Sequence, residues 1–237
     1  MMQAAIIAGG LGTRIQPLTA KIPKSMVVIN GRPFIDYQLE LMKGKGIEKV
    51  VLCLGNMHEK IIAHCGDGSR YGLEIRYSIE HEPLGTAGAI KNAEKLLEDI
   101  FFIMYGDSYL TTNFKEVLEY FKRKDNLALN AVYKNNNRIE PSNISVKNGF
   151  VVAYDKNNNS NFKYIDYGLS IFRKEVLLLM NKRKMSLEEL FKKLIGRKEL
   201  LAFEVKERFY EIGSLVGICE FEGYLNSIRI KEAAGGL

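Results

Sequence analysis

Residues 9 to 14 read Gly-Gly-Leu-Gly-Thr-Arg, and a lysine, Lys24, stands ten positions after Arg14. Glycines let a tight turn aim several backbone N–H groups at one point, and oxygen anions are the natural guests of such a nest. Arg14 adds a fixed planar donor suited to phosphate oxygens, and Lys24, held after Pro23, adds a movable point charge. A phosphate cradle with two cations beside it suits nucleoside triphosphate chemistry. The same residues also suit a plain strand-to-loop turn with two surface cations, so spacing must narrow the field. A dinucleotide fingerprint requires glycine at position 15, where Ile15 stands; a P-loop requires Gly-Lys-Ser or Gly-Lys-Thr, whereas Thr13-Arg14 follows Gly12. Both are excluded. His58 and His64 are six apart and His81 stands alone, which is no spacing for zinc.

The elements that must position these residues alternate in the first half. Ala4 to Ala8, Val50 to Leu54, Glu74 to Ile79 and Ile100 to Tyr105 read as strands. Between them, Pro33 opens a helix whose Ile35, Leu39 and Met42 recur on one face before Gly44 and Gly46, and Thr86 to Leu97 reads as a second crossover helix. Strand, helix, strand in this order predicts an α/β fold with ligands at the carboxyl ends of its strands. The second half is less regular. Leu127 to Tyr133, Ile144 to Val146, Val151 to Tyr154, Ile165 to Phe172 and Leu201 to Val205 look extended, and Asn135 to Asn137 and Asn157 to Asn161 read as mobile surface loops. Ser186 with Glu189 forms a capping-box signature ahead of an apolar stripe of Leu187, Leu190, Phe191 and Leu194, which is core. The tail from Ala233 to Leu237 reads as frayed.

Composition narrows the setting. The chain has 237 residues with 46% hydrophobic content, enough for one compact unit. Its net charge of +6 is scattered; Lys122-Arg123-Lys124 and Lys182-Arg183-Lys184 read as solvated helix ends, so no nucleic-acid partner is expected. A positive field does suit a small anionic substrate. Three cysteines without a Cys-x-x-Cys pair, and no apolar run near the roughly 18 residues of a membrane span, lead to a reduced cytoplasmic protein without a membrane partner.

The stretch GGLGTRIQPLTAKIPKSM resembles the signature of sugar-1-phosphate nucleotidyltransferases. The resemblance continues in order through Glu82-Pro83-Leu84-Gly85-Thr86-Ala87-Gly88, Tyr105-Gly106-Asp107-Ser108, Asp155-Lys156, Asp166-Tyr167-Gly168-Leu169 and Tyr210-Glu211-Ile212-Gly213. It covers almost the whole chain and looks most like the short branch with heptose- and mannose-1-phosphate guanylyltransferases and an N-acetylmuramate-1-phosphate uridylyltransferase. The fold this implies is a Rossmann-like three-layer αβα sandwich with a mixed, mostly parallel central sheet. Residues 1–237 would form one domain, with a nucleotide-binding half of about 1–110, an acceptor-binding half of about 111–237 and no β-helix domain.

The reaction the resemblance implies is transfer of a nucleotidyl group from an NTP to a sugar 1-phosphate, with release of pyrophosphate. GTP with a heptose or mannose 1-phosphate is preferred; a uridylyl- or cytidylyltransferase acting on another sugar 1-phosphate or a small phosphorylated alcohol is the alternative. A non-catalytic nucleotide-sugar sensor is a remote third. By position in the family pattern, Arg14, Lys24 and Asp107 would be catalytic, with Arg14 on the leaving phosphates and Lys24 on the α-phosphate. Ala8, Gly9, Gly10, Leu11, Gly12, Thr13, Glu82, Gly85 and Thr86 would line the nucleotide, and Tyr105, Lys156, Asp166 and Gly168 the acceptor. Asp107 and Glu211 would hold Mg²⁺, although relatives usually carry aspartate where Glu211 stands, and its extra methylene shifts the metal or the backbone. Asp166 stands where relatives often carry asparagine against sugar hydroxyls, and an ionised carboxylate can only accept hydrogen bonds, which leaves room for an acceptor other than the usual hexoses. Ser25 replaces a common proline without evident chemical consequence. A monomer and a homo-oligomer are equally compatible with these features.

Overall fold

A computed structural model describes residues 2–10, 12–156 and 162–234. The first half builds β1 (Gln3–Ile7), β2 (Val28–Ile29), β3 (Arg32–Pro33), α1 (Phe34–Gly44), β4 (Lys49–Leu54), α2 (His58–Cys65), β5 (Glu74–Ile79), α3 (Gly85–Asn92) and β6 (Ile100–Tyr105). After it come β7 (Ser108–Leu110), α4 (Phe114–Lys122), β8 (Ala128–Lys134), β9 (Ile144–Lys147), β10 (Phe150–Tyr154) and β11 (Tyr164–Arg173). The chain closes with α5 (Leu187–Gly196), β12 (Leu200–Val205), β13 (Phe209–Glu211) and α6 (Leu215–Ala234).

Nine strands form one sheet in the order β5-β4-β1-β6-β11-β8-β12-β10-β9. Its first four strands are mutually parallel, as βαβ crossovers require. Beyond them the sheet becomes mixed, as expected, with β11 and β10 reversed among the described strands. β11 lies antiparallel between β6 and β8, and β10 lies antiparallel between β12 and β9; only β8 and β12 pair parallel on that side. Mixed pairing follows from connectivity, because β9 and β10 are joined by a hairpin turn, which reverses the chain.

Period-two alternation gives the central strands two buried faces. In β4, Val50, Leu52 and Leu54 face one apolar cluster while Val51 and Cys53 face another. The first cluster is closed by α1, α2 and α4, through Leu39, Ile61 and Phe114 among others; the second is closed by α3 and α5, through Ile90 and Leu190. Three layers result. The Ser186 capping box is present, with Ser186 Oγ accepting from Glu189 N at 3.1 Å and Glu189 Oε2 accepting from Ser186 N at 2.9 Å. A third, smaller cluster joins Ile15, Ile29, Phe34 and Ile212 to Phe221 of α6. It fastens α6 beside the glycine loop.

Three expectations change. The crossover helix ends at Asn92 rather than Leu97, because the Asn92 amide turns aside to Ser78 Oγ (2.9 Å) and the Ile79 carbonyl (3.1 Å), and a separate 3-10 turn covers Glu94–Leu96. Asn136 and Asn137 are exposed turn residues, as expected of a surface loop, but Asn135 is buried: its amide donates to Ser142 Oγ (3.2 Å) and the Glu140 carbonyl (2.5 Å), and its carbonyl oxygen accepts from Ile139 N (3.0 Å). The polar residues there lace the segment to itself. Ala233 and Ala234 belong to α6 rather than to a frayed tail, while residues 235–237 and the expected loop Asn157 to Asn161 lie outside the described residues.

Candidate active site

At the carboxyl end of β1 the glycine loop turns across the sheet. A Cβ on Gly9 would stand 2.6 Å from Glu80 Oε1, so this glycine lets the loop lie against that side chain. Gly12 adopts φ +62°, a left-handed conformation that costs little only without a Cβ, and its carbonyl accepts from Thr19 Oγ1 at 2.7 Å. Gly10 differs. No atom lies within 4 Å of where its Cβ would project, because that side faces an open trough. Buried Ile15 then anchors the 3-10 turn Thr13–Ile15 and leaves Arg14 exposed at the trough.

The trough consists of three joined cavities. One of about 680 Å³ runs from Gly9 and Gly10 past Gly55 to Glu80, Glu82 and Gly85. The next, about 280 Å³, shares Ile7, Gly10, Thr13 and Thr86 with it and holds Ala8, Gly12, Arg14, Lys24 and Asp107. A third of about 420 Å³ shares Arg14, Tyr105 and Asp107 with the second and extends to Lys156, Asp166, Gly168 and Glu211. All the described site residues from the sequence therefore line one continuous groove. Leu11 lies outside the described residues.

Charges concentrate where the second and third cavities meet. Lys24 Nζ is 2.5 Å from Asp107 Oδ2, a half-buried ion pair. The short strands β7 and β13 pair antiparallel, Ser108 opposite Glu211, and Ile212 N donates to the Asp107 carbonyl at 2.9 Å. This pairing brings the two candidate metal carboxylates onto neighbouring strands 104 positions apart in sequence. Glu211 Oε2 accepts from Gly213 N at 3.2 Å, and Glu211 and Arg14 Nη2 both crowd the space over Gly213. Burial raises the Glu211 carboxyl above the ordinary range; the charges of Asp107 and Glu140 raise it further, against the pull of Lys24 and Arg14. Two hard carboxylates that repel each other invite a cation between them. No cluster of three or more His, Cys, Asp or Glu with metal-binding geometry occurs among the described residues. That donor set fits Mg²⁺, which is commonly held by one or two carboxylates with substrate phosphates completing its shell.

In the third cavity Lys156 Nζ lies 5.9 Å from the centre of the Tyr105 ring. The Asp166 carboxylate is already engaged, accepting from Tyr154 Oη (2.9 Å), Tyr105 Oη (3.4 Å), Asn130 Nδ2 (3.1 Å) and Gly168 N (3.0 Å). Burial, reinforced by the Asp166 charge, pushes both phenols up, so they remain donors to it. Glycine at 168, with φ +86°, lets β11 bulge there. In the first cavity the carboxylate of Glu82 pairs with Arg183 at 2.6 Å on the open rim. Thr86 Oγ1 accepts from Leu187 N at 2.7 Å, and the N–H groups of Ala87 and Gly88 donate to the Met185 carbonyl, so Thr86 has a structural part.

Sequence reading missed Glu80, Gly55, Tyr154, Asn130 and Arg183, all of which line or brace the trough. Arg183 keeps its side chain largely exposed, in keeping with a solvated run, and joins the rim through Glu82. Gly55 after the apolar run of β4, in the same strand-end position as Gly9 after β1, was the available signal.

Sheet order and groove together define a nucleotide-diphospho-sugar transferase fold, shared with HddC from Yersinia pseudotuberculosis at a TM-score of 0.79 and 27% identity over 95% of this chain and 100% of that one. The chain belongs to the nucleotidyl transferase family, whose pattern it matches over residues 3–222. A mannose-1-phosphate guanyltransferase of Candida glabrata is 32% identical over 90% of this chain and 61% of its own length. A D-glycero-alpha-D-manno-heptose 1-phosphate guanylyltransferase of Campylobacter jejuni is 42% identical over 46% of this chain and 48% of its own. The chain thus spans about three fifths of that fungal relative and about half of the bacterial one.

Proposed function

We propose that this chain transfers a guanylyl group from GTP to a mannose- or heptose-type sugar 1-phosphate and releases pyrophosphate. The observation that carries the reading is the continuous groove, in which a bare-backbone cradle, two cations and two carboxylates stand between a nucleotide-sized and a sugar-sized cavity. Guanine and these sugars are preferred because the similar proteins named above act on them. HddC has also been crystallised with GMP-PN.

The acceptor phosphate has a second pKa of about 6 and is already anionic near neutral pH, so it needs no general base. The histidines that line the groove, His58 and His81, belong to its first cavity, away from Asp107. Catalysis is then alignment and charge compensation. Amides of the glycine loop hold the triphosphate, Arg14 holds the leaving phosphates, and Lys24 exchanges Asp107 for an α-phosphate oxygen. That exchange frees Asp107 as a cation ligand. Mg²⁺, when bound by Asp107 and Glu211, supplies further neutralisation of phosphate charge. Lys156 meets the acceptor phosphate, and Tyr105 and Gly168 wall its sugar. Asp166 acts there by fixing Tyr105 and Tyr154. Three free cysteines, two of them buried, suit the reducing cytoplasm; among the described residues no helix is long and apolar enough to cross a membrane.

A screen of four NTPs against neutral sugar 1-phosphates, read as pyrophosphate release, tests the reading. GTP with mannose or heptose 1-phosphate is expected to lead, and Arg14→Ala, Lys24→Ala and Asp107→Ala to be nearly inactive. Full activity in all three variants would overturn the assignments.

A further inference from the structure

Gln38 is fully buried on α1, on a helix face otherwise made of Ile35, Leu39 and Met42. Its Nε2 donates to the carbonyl of Tyr105 and to that of Ser108, both at 2.8 Å. The two bonds bracket Gly106 and Asp107. No group among the described residues donates to its Oε1. An unpaired buried acceptor is destabilising, whereas methionine, similar in length, would fill the same apolar surroundings without one. What methionine cannot supply is the pair of N–H donors.

We infer that Gln38 is a positioning residue: its amide pins the turn that presents Asp107 to the groove. Both ends of the reaction depend on that turn. On one side the pinned residue is Tyr105, whose ring lies beneath Lys156 and whose hydroxyl reaches Asp166. On the other it is Ser108, paired with Glu211 across β7 and β13. A side chain that contacts no substrate thereby sets the separation of the carboxylates and the acceptor wall. Its unpaired oxygen marks a position kept for function at some expense of stability.

The activity readout rests on the guanylyl-transfer reading above; a second readout rests on neither substrate nor metal. Gln38→Met and Gln38→Glu are compared with the wild type by thermal unfolding, by hydrogen–deuterium exchange of the segment 104–110, and by turnover. Gln38→Met is expected to keep or raise the Tm, to exchange at residues 105–108 about tenfold faster, and to lose turnover about tenfold or more with KM for GTP within about twofold. Gln38→Glu keeps the shape but turns acceptors toward two carbonyls, and is expected to lower Tm and turnover together. Unchanged exchange at 105–108 in Gln38→Met would overturn the inference, as would a lowered Tm with full turnover per folded molecule. Failure of the wild type with every NTP would end the functional reading alone, since the exchange comparison would still decide the role of Gln38.

Discussion

Lys24 Nζ and Asp107 Oδ2 stand 2.5 Å apart, which joins the glycine-loop side of the groove to the carboxyl end of β6 across 83 positions of sequence. On the proposed reading, a triphosphate in the cradle competes with Asp107 for this ammonium. The two residues therefore act on one event, and their losses should not add. Lys24→Ala and Asp107→Asn are each expected to lower turnover about 10²- to 10³-fold, about 2.7–4 kcal/mol. The double variant should be only a few-fold worse than the weaker single one. Single-turnover pyrophosphate release measures all three, and a double variant showing the full product of the single losses would separate their roles.

Gly10 and Gly85 are glycines for different reasons, and alanine at each should fail differently. At Gly10 a methyl meets no protein atom but enters the space proposed for phosphate. Gly10→Ala is expected to keep its Tm and to weaken GTP binding about tenfold or more. Gly85 has φ +74° and a Cβ there would stand 2.6 Å from the Met185 carbonyl oxygen. Gly85→Ala is expected to lose about 1–3 kcal/mol of stability. Thermal melts and nucleotide titration distinguish the two; a destabilised Gly10→Ala would refute the open-cradle account.

Much of this was legible because it is local. The glycine loop, Arg14 and Lys24 lie within sixteen consecutive positions, 9 to 24, and the strands of the parallel half carry long apolar runs. What escaped depends on distant partners. β7 and β13 are three residues each, too short for any period to show, yet their pairing brings Asp107 and Glu211 together. Asn135 looked like a loop residue by type, and only the fold reveals that Ser142 and the Glu140 carbonyl close around it. Asp166 could be placed at the acceptor cavity by resemblance, but its four donors come from three different strands and its own backbone turn.

Phe221 of α6 should couple stability to catalysis. Its ring, fully buried, lies 5.3 Å from that of Phe34 and 4.9 Å from that of Tyr109, in the cluster that also holds Ile15 and Ile212. Ile15 follows Arg14 and Ile212 follows Glu211, so loosening this cluster loosens both. Phe221→Ala is expected to cost about 3–5 kcal/mol, and its remaining folded molecules to turn over more slowly; Phe221→Leu should be milder in both. Urea unfolding and activity per folded molecule provide the check, with undiminished specific activity in Phe221→Ala counting against the coupling.

Away from the groove, Asp36 predicts an acid limb in the stability curve. It sits in the first turn of α1, where His64 Nε2 lies 2.7 Å and Arg70 Nη2 3.2 Å from its Oδ1, and Tyr71 Oη donates to the same oxygen. Burial works to raise this carboxyl, but the hydrogen bonds from Tyr71 and His64, with the charges of His64 and Arg70, outweigh it and hold it below its ordinary value of 3.8. A carboxyl depressed on folding contributes stability that is complete above the unfolded value and disappears as pH falls through the folded one. Asp36→Asn should therefore be less stable than wild type at pH 7, by about 1–3 kcal/mol for a charge-assisted bond lost, and the gap should narrow as the pH drops below 3.8. Urea midpoints of the two proteins across that acid range decide the matter. A gap of constant size would mean that the Asp36 carboxylate is held by shape rather than by its charge.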